Sequence, residues 1–386
     1  MTTTITPDTA ITYLHLSEAE MIAAGVTDSA RCVDVMEETL ILLAQGDYRM
    51  AGQSANSHGA QINFPADPVH TGMPADGPDR RFMAMPAYLG GRFNATGVKW
   101  YGSNVDNRAT GLPRSIHLFI LNDTVTGAPK AIMSANLLSA YRTGAVPGVG
   151  VKHLALIDAT TVGIIGPGVM SRTCFDSAIS QRPGIRHVKI KGRSAASTER
   201  AAGWLRAKYP QLESVEVVDS EQAAIEGSDI LIAGTSTSPE GPAGFPYFKR
   251  EWLKPGALVL APAAARFDDG FLTSEEANLV IDYDGLYAEW FHENGPGVAY
   301  EDLFGIPGNR WWDMKEEGQI PAEKLVNIGD IAAGRLPGRT SDDQIFLYSV
   351  GGMPVEDVAW ATEIYLNAME RGIGTELTLW DEPTLA

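Results

Sequence analysis

The stretch Thr161-Val162-Gly163-Ile164-Ile165-Gly166-Pro167-Gly168-Val169-Met170-Ser171 is the most informative part of this chain. The branched side chains before Gly166 predict a strand that is covered on both faces. Two glycines one residue apart allow a tight turn, and residues 170–179 then predict a helix whose N terminus favours phosphate. Ser171 replaces the third glycine of the dinucleotide-binding fingerprint. Alone, the stretch therefore fits either a cofactor turn or an ordinary strand–turn–helix.

The length and charge of the chain restrict its class. Its 386 residues predict two domains, and its formal net charge of −18 argues against nucleic acid and anionic membranes as partners. Cys32 and Cys174 lie at apolar-spaced positions of predicted helices, so we expect buried thiols rather than a disulfide or a metal site. Residues 1–13 lack the pattern of a signal peptide, and no apolar stretch has the length of a membrane span. We therefore expect a cytoplasmic protein.

The N-terminal part of the chain predicts an α+β region. Ser17 and Glu20 form a capping box that should open a short helix. Strands are predicted at residues 82–89, 97–101, 116–122 and 131–133. The last two should form an antiparallel hairpin. A helix that begins at Ser134 should then kink or end at Pro147.

Beyond His153, predicted strands alternate with predicted helices. The strands cover residues 162–165, 187–191, 230–233, 258–261 and 279–282. This alternation is typical of a doubly wound parallel sheet of the Rossmann type, in which ligands bind at the carboxyl ends of the strands. The final helix, over 354–372, lies outside the alternation and should pack on the N-terminal region.

The second strand of this region ends near the spacing that a dinucleotide fingerprint requires. An NAD-binding site would carry a carboxylate there, but Lys191-Gly192-Arg193-Ser194 stands in its place. Cations and a hydroxyl suit a 2′-phosphate, so we predict NADP(H), with NAD(H) as the alternative. The competing interpretation is that these cations are solvated surface charges. The predicted cofactor-binding residues are Gly166, Pro167, Gly168, Val169, Met170, Gly192, Arg193, Ser194, Thr235, Ser236 and Thr237.

Two cations of the N-terminal region are candidates for chemistry. Lys99 lies in the apolar strand Gly97-Val98-Lys99-Trp100, where burial would lower its pKa and make it an acid or an imine-polarising donor. The alternative is an edge lysine that faces water. Arg142 lies on a helix and can bind a carboxylate through two parallel hydrogen bonds, or it can be an ordinary surface arginine.

The order of several short motifs resembles the ornithine cyclodeaminase/μ-crystallin family, over roughly Leu16 to Gly372. The glycine turn of residues 162–170 belongs to this series. The other motifs are FMAMPAYLGG (82–91), GVK (97–99), GLP (111–113), TGAP (126–129), YRTGA (141–145) and GRTSDD (338–343). The segment GGMPVED (351–357) also resembles a subgroup that is named for one of the subunits of tyramine oxidase.

The resemblance implies a homodimer and a two-part chain. Residues 1–154 and 336–386 would form a substrate and dimerisation domain, and residues 155–335 an inserted Rossmann domain. It also implies NAD(P)(H) chemistry on the C=N/CH–NH bond of an amino-acid-like substrate, as in an imine or ketimine reductase or an amino-acid dehydrogenase. Lys99 would be the active-site lysine and Arg142 the carboxylate-binding arginine. The alternatives are an ornithine cyclodeaminase-type ammonia lyase that recycles NAD and a non-catalytic NADP-binding accessory subunit.

The sequence also departs from the family pattern. An arginine that usually helps to bind the substrate carboxylate is absent, and Asn56 or His58 is the predicted substitute. The aspartate of cyclodeaminases aligns with Ala265, which leaves Asp268 as the candidate for its catalytic role. Extra residues occur around 67–79 and 287–312. We interpret the second insert as surface decoration, with a lid over the site or a dimer contact as alternatives.

Overall fold

A computed structural model describes residues 9–235, 240–302 and 305–385 of the chain. The strands of this described part are β1 (Ile11–Leu16), β2 (Tyr48–Met50), β3 (Ala60–Asn63), β4 (Arg81–Leu89), β5 (Ala95–Ser103), β6 (Ser115–Asn122), β7 (Pro129–Ser134), β8 (Thr161–Ile165), β9 (His187–Lys191), β10 (Ser214–Val217), β11 (Ile230–Ala233), β12 (Leu258–Ala261), β13 (Ala277–Ile281), β14 (Leu325–Asn327), β15 (Ile345–Ser349) and β16 (Thr375–Trp380).

The α-helices of the same residues connect and cover these strands. They are α1 (Glu18–Ala23), α2 (Ser29–Gln45), α3 (Asn136–Leu154), α4 (Val169–Gln181), α5 (Ala195–Lys208), α6 (Glu221–Ile225), α7 (Asp269–Thr273), α8 (Asp284–Asn294), α9 (Val298–Asp302), α10 (Pro307–Glu316), α11 (Ile328–Ala332) and α12 (Pro354–Arg371). The predicted capping box is confirmed at α1, where the Ser17 and Glu20 side chains bond each other's backbone N–H groups.

The first sheet is built from both ends of the chain. Its order is β16-β1-β7-β6-β5-β4-β2, with β3 paired to β4, and β1 pairs with β16 in antiparallel register. The β6–β7 hairpin is antiparallel, as predicted. Strict alternation along β5 turns Lys99 to the buried face of the sheet and Trp100 to the exposed face. Helix α12 packs against the sheet, with α2 packed on α12, so the prediction for the final helix is confirmed.

The second sheet is parallel throughout and doubly wound. Its order is β10-β9-β8-β11-β12-β15-β13-β14, with β8 at the point where the winding direction reverses. Strands β11 and β12 are buried at every residue, which explains their continuous apolar sequence. The predicted Rossmann-type sheet is therefore confirmed.

The predicted domain boundaries misplace one strand. Residues 336–386 were assigned to the substrate domain, yet β15 hydrogen-bonds between β12 and β13 in the parallel sheet. The chain therefore completes the Rossmann sheet before α12 returns to the first sheet. The alternation of strands and helices did not reveal this because a long helical segment separates β13 from β15. The division of the chain into two domains stays a prediction.

Helix α3 links the two sheets and continues past Pro147, so it does not end there, and the predicted alternative of a kink at Pro147 stays a prediction. The helix continues to Leu154, although an interior proline costs about 3 kcal/mol through a lost hydrogen bond and a steric clash. Close packing offsets this cost. A Cβ on Gly144 would lie 2.4 Å from the carbonyl carbon of Thr173 in α4, so only glycine allows α3 and α4 to approach this closely.

The structure also describes the two cysteines, the apolar character of the helices and the grouping of metal-binding side-chain types. Cys32 and Cys174 are both buried free thiols. Among the described residues, no helix has the length and apolar character of a membrane span. In the same part of the chain, no group of three or more His, Cys, Asp or Glu side chains has the arrangement of a metal site.

Candidate active site

The glycine turn after β8 opens onto the N terminus of α4. Gly166 has a φ of 82°, a left-handed conformation that glycine adopts without strain. Gly168 is the N-cap of α4 and makes no side-chain hydrogen bond to the first N–H groups of this helix. A Cβ on Gly168 would meet nothing within 4 Å, and Val169 is 66% exposed. The turn is thus an open cradle of backbone donors, which suits a diphosphate.

The side chain of Ser171 stabilises the glycine turn. Its hydroxyl donates a hydrogen bond of 2.6 Å to the carbonyl oxygen of Gly166, and its side chain is buried. The same hydroxyl packs on Gly234, where a Cβ would lie only 1.8 Å from Ser171 Oγ. The third glycine of the fingerprint normally allows close helix–strand packing. Here a glycine on the neighbouring strand end provides the space, and the serine holds the turn in place.

The end of β9 lies beside this turn. A Cβ on Gly192 would lie 2.2 Å from the Thr198 hydroxyl and 3.0 Å from Pro167 Cδ, so the two segments pack closely. Lys191 donates a hydrogen bond of 2.7 Å to the carbonyl oxygen of Asp219. Arg193 and Ser194 are exposed, and neither side chain bonds another described residue. These two residues therefore remain the candidates for a cofactor phosphate.

Thr235 completes the predicted cofactor-binding set in the described residues. Its hydroxyl would lie 2.6 Å from a Cβ on Gly166, so it lies directly against the turn. Ser236 and Thr237 lie outside the described residues. The open backbone donors, the close glycines and the absence of a side-chain cap on α4 all fit a dinucleotide, whose phosphates the turn of residues 166–170 would hold.

Lys99 is a buried cation rather than an edge lysine. It is only 2% exposed, and its Nζ donates to Asp357 Oδ2 at 2.8 Å and to Ser139 Oγ at 3.3 Å. Burial lowers the pKa of Lys99 to about 8, and the nearby Arg142 acts in the same direction while Asp357 opposes it. A lysine with such a pKa can give or take a proton near neutrality.

Arg142 lies beside Lys99 and shares its carboxylate. The guanidinium donates from Nε to Asp357 Oδ1 at 2.9 Å and from Nη1 to Glu356 Oε2 at 2.7 Å. Although burial opposes the charge, the Asp357 and Glu356 carboxylates raise the pKa of Arg142. Nη2 makes no hydrogen bond to a described residue, so its donors are left for a ligand.

The two carboxylates differ in charge state. Burial raises the pKa of Asp357, but Arg142 and Lys99 outweigh it and hold the value below the ordinary range. Burial raises the pKa of Glu356 to about 7, although Arg142 opposes the shift. Glu356 Oε1 is also buried without a hydrogen-bond partner among the described residues. Asp357 is therefore the firm counter-ion of the pair of cations, and Glu356 is the weaker one.

One cavity of about 570 Å³ joins these groups to the glycine turn. Lys99 and Arg142 line it from β5 and α3, and Gly168, Val169 and Met170 line it from the start of α4. The structure thus brings the predicted catalytic lysine, the predicted carboxylate-binding arginine and the predicted cofactor turn to one space.

A second cavity, of about 370 Å³, adjoins the first and shares five lining residues with it: His58, Arg81, Tyr101, Arg114 and Met170. Trp290, Glu293 and Ile306 of the second insert form part of its wall. The interpretation of this insert as surface decoration is therefore wrong for these side chains. Apolar side chains of the insert had no partner evident in the sequence, because their contacts lie on distant segments.

His58 lies on the wall of both cavities, half-buried against Trp290 at a ring-centroid distance of 5.6 Å. Burial, with Lys99 and Arg142 nearby, lowers the pKa of His58 to about 3. His58 is therefore a neutral hydrogen-bonding group and cannot replace the charge of the missing arginine.

Two predicted residues lie elsewhere. Asn56 accepts a hydrogen bond from the Tyr48 hydroxyl, which also bonds Tyr283 at 2.9 Å, and it does not line either cavity. Asp268 precedes α7 and accepts a hydrogen bond from Tyr247, also away from both cavities. The structure therefore does not bring either residue to Lys99 and Arg142.

Several residues of the site were missed at the sequence level. Glu356 and Asp357 occupy the first turn of α12, and Arg81 and Arg114 flank the cavities. A pair of carboxylates at the N terminus of a helix is common because the negative charges interact favourably with the helix dipole. The structure shows that α12 buries nearly its whole first half, and carboxylates buried in this way require cationic partners.

Comparison with known proteins identifies the family. The family profile described as ornithine cyclodeaminase/mu-crystallin matches residues 4–372, and the chain belongs to this family. The resemblance seen in the motifs is thereby confirmed. Membership of the subgroup named for tyramine oxidase stays a prediction.

Individual relatives cover most of the chain. An N-((2S)-2-amino-2-carboxyethyl)-L-glutamate dehydrogenase of Staphylococcus aureus is 27% identical over 95% of this chain and 98% of its own. An alanine dehydrogenase of Archaeoglobus fulgidus is 30% identical over 76% of this chain and 82% of its own. Among solved structures, a Thermococcus litoralis Delta(1)-pyrroline-2-carboxylate reductase in complex with NADH and L-proline is 26% identical, covers 94% of this chain and 99% of that chain, and has a TM-score of 0.72.

Proposed function

We propose that the protein is an NAD(P)H-dependent oxidoreductase that acts on the C=N/CH–NH bond of an amino-acid-like substrate. One observation carries the proposal: Lys99 and Arg142, joined by Asp357, line the same cavity as the glycine turn at the start of α4. The names of the similar dehydrogenases and reductase support the same chemistry.

Each residue of the site has a separate role. Arg142 binds the substrate carboxylate through Nη2, which orients the C–N bond across the cavity. Lys99 lies beside the nitrogen and, in the direction of reduction, donates the proton that converts C=N to CH–NH. A reduced nicotinamide dinucleotide held by its phosphates at residues 166–170 would supply the hydride that the carbon receives. Asp357 keeps both cations in place and balances part of their charge.

The test is turnover with a panel of cyclic and linear α-imino acids and NADPH or NADH, followed by absorbance. We expect cofactor oxidation with at least one imine, and a loss of about 10²–10⁴-fold in kcat/KM for Lys99→Met. The matched control is Lys130→Met, which removes a half-buried lysine of β7 that pairs with Asp123 at 3.6 Å. No oxidation across the panel, or equal turnover of Lys99→Met and the wild type, would count against the proposal.

The alternatives give different outcomes in the same experiment. A cyclodeaminase would release ammonia from a diamino acid with no net change in cofactor absorbance. The position of Asp268 outside both cavities does not support this interpretation. A non-catalytic accessory subunit would bind the cofactor and turn over no substrate.

We also propose that the cofactor is NADP(H). The support is the exposed pair Arg193 and Ser194 at the end of β9. An NAD-binding site would have a carboxylate there, which accepts hydrogen bonds from the ribose diol. Replacing Arg193 by Ala should weaken NADPH binding by about 10–100-fold and leave NADH binding nearly unchanged, because one charge-assisted hydrogen bond contributes about 1.5–3 kcal/mol. Dissociation constants from nucleotide fluorescence would measure this. Equal weakening of both nucleotides, or tighter binding of NADH than NADPH by the wild type, would contradict the assignment.

A homodimer is proposed from the exposed face of the first sheet. Phe82, Trp100, Ile116 and Leu118 project from this face and are 40–52% exposed. Trp100 pairs with Leu118 across the β5–β6 ladder, and the Phe82 and Trp100 rings stack at 5.8 Å. A contiguous apolar face of this kind is typical of a protein interface. We propose that a second copy of the chain covers it, on the domain formed from both chain ends.

A further inference from the structure

The larger cavity concentrates positive charge in an acidic protein. Five cationic side chains line it, and no Asp or Glu of the described residues does so. These cations are Arg81, Lys99, Arg108, Arg114 and Arg142. The whole chain carries a formal net charge of −18, so the positive charge of this cavity is opposite in sign to the net charge of the protein. Such a cleft favours an anionic ligand.

The proposed chemistry uses only two of these cations. Arg142 binds one carboxylate and Lys99 serves the nitrogen. The phosphates of a cofactor have the N terminus of α4. Three arginines are therefore left without a role in this chemistry. Arg108 lines only the larger cavity, whereas Arg81 and Arg114 line both cavities and thus lie where the two meet.

Arg81 and Arg114 are held by a common carboxylate. Asp79 lies at the end of the first insert, its side chain is 5% exposed, and it pairs with Arg81 through Oδ1 and with Arg114 through Oδ2 at 3.1 Å. It also accepts a hydrogen bond of 2.6 Å from Ser103. Asp79 thus holds two guanidinium groups side by side at this junction. Asp79 has a φ of 54°, in the left-handed region that aspartate adopts more readily than most other non-glycine residues.

The smaller cavity beyond the arginine pair accepts the body of a side chain. Met83, Tyr101, Trp290 and Ile306 give it an apolar wall, to which Glu293 adds one carboxylate. A substrate whose reacting carbon lies near Lys99 and Met170 can extend along this wall, and its far end then passes Arg81 and Arg114. A carboxylate at that end can accept charge-assisted hydrogen bonds from these guanidinium groups, and an uncharged end cannot.

We propose that the substrate is an amino or imino acid with a second carboxylate, remote from the reacting C–N bond, and that Arg81 and Arg114 bind this second carboxylate. The inference rests on the proposed function and names the substrate class of that site. Arginine pairs suit the role because each guanidinium can give a carboxylate two parallel hydrogen bonds.

The test compares ligands that differ only at the far end. Binding of L-glutamate and of L-norvaline to the protein–NADP⁺ complex is measured by calorimetry. Turnover of 2-oxoglutarate and of 2-oxopentanoate is measured with ammonium and NADPH. We expect the wild type to prefer the dicarboxylate by about 10–100-fold in Kd and in kcat/KM, because one or two charge-assisted hydrogen bonds are gained.

Two arginine variants test whether Arg81 and Arg114 cause the preference for the dicarboxylate. Arg81→Gln and Arg114→Gln should reduce the preference towards one, through the Kd and KM of the dicarboxylate, while the monocarboxylate values stay nearly constant. Arg80→Gln is the matched control. It removes a neighbouring arginine that pairs with Asp106 at 3.2 Å and lines neither cavity, so it should keep the preference.

Three results would overturn the inference. Equal binding of L-glutamate and L-norvaline to the wild type excludes a second carboxylate, whether or not any substrate is turned over. Retained preference in both arginine variants excludes these residues. A raised Kd for NADPH in the variants, with an unchanged substrate preference, assigns the arginine pair to the cofactor phosphates. Absence of turnover together with a binding preference for L-glutamate would contradict the proposed function and leave the anion site supported.

Discussion

At the scale of single residues, the carboxylate of Asp357 joins the two cations on which the proposed chemistry depends. It accepts from Lys99 and from Arg142 with different oxygens, and all three groups are buried. Burial and Arg142 lower the pKa of Lys99, and Asp357 raises it. The sequence could indicate Lys99 and Arg142 from their apolar surroundings, but a shared carboxylate 258 residues from Lys99 has no local signature.

The first prediction concerns the pH dependence of catalysis. Lys99 has a pKa of about 8, and the protonated form, which is the proton donor, exists below that value. In the direction of imine reduction, kcat/KM should therefore fall as the pH rises through about 8, and in the direction of amine oxidation it should rise. A steady-state pH profile in both directions would measure this. A flat profile, or one that Lys99→Met does not alter, would show that another group titrates.

The second prediction concerns Asp357→Asn. Loss of the negative charge removes the interaction that raises the pKa of Lys99, so the midpoint of the reductive pH profile should move to lower pH. The variant should also lose about 3–5 kcal/mol of unfolding free energy, because it leaves buried cations partly uncompensated. The measurements are the pH profile and urea unfolding.

The control for this variant is Asp106→Asn. Asp106 is 73% exposed and pairs with Arg80 at 3.2 Å. The control should change stability by less than about 1 kcal/mol, since exposed ion pairs contribute little, and should leave the pH profile in place. An unmoved profile in Asp357→Asn would mean that Asp357 does not set the protonation of Lys99.

At the scale of elements, the site depends on how closely α3 and α4 pack. Helix α3 carries Arg142, and α4 begins at the cofactor turn, so their separation sets the distance between substrate and cofactor. The sequence predicted both helices and the turn, because helical spacing and glycines are local signals. It did not predict that α3 would pass Pro147, since the packing that offsets the proline comes from distant segments.

The third prediction tests this contact through Gly144→Ala. The added Cβ would lie 2.4 Å from the Thr173 carbonyl carbon, so the helices must separate. We expect a loss of about 1–3 kcal/mol in unfolding free energy, together with a lower kcat. Gly203→Ala in α5 is the control, because its Cβ would meet nothing within 4 Å and should stabilise the helix by up to about 1 kcal/mol. If both variants unfold at the same urea concentration, the close contact is not required.

At the scale of the whole molecule, both chain ends meet in the first sheet, and the parallel sheet lies between them in sequence. The edge strands β1 and β16 pair although they come from opposite ends of the chain. The exposed face of this sheet is the surface on which we propose dimerisation. Alternation in β5 predicts that Lys99 and Trp100 face opposite sides, but not which face is covered by α12.

The fourth prediction is that Trp100→Asp yields a monomer. A charge in the centre of the apolar face should prevent a second copy from packing there, while the opposite, buried face is unchanged. Size-exclusion chromatography with light scattering would measure the mass, and circular dichroism would confirm folding. Val125→Asp, at a position 89% exposed in the β6–β7 turn, should remain a dimer. A monomeric wild type, or a dimeric Trp100→Asp, would contradict the proposed interface.

The sequence by itself determined the Rossmann turn, the alternation of strands and helices around it, four strands of the first sheet, and the two candidate cations Lys99 and Arg142. These features depend on local chemistry: residue period, glycine conformation and capping. Only the tertiary structure decided that β15 joins the parallel sheet, that Asp357 links Lys99 to Arg142, and that the second insert lines the site. Ion pairs and cavity walls have no sequence period. They form where the packing of the whole fold brings side chains from distant parts of the sequence together.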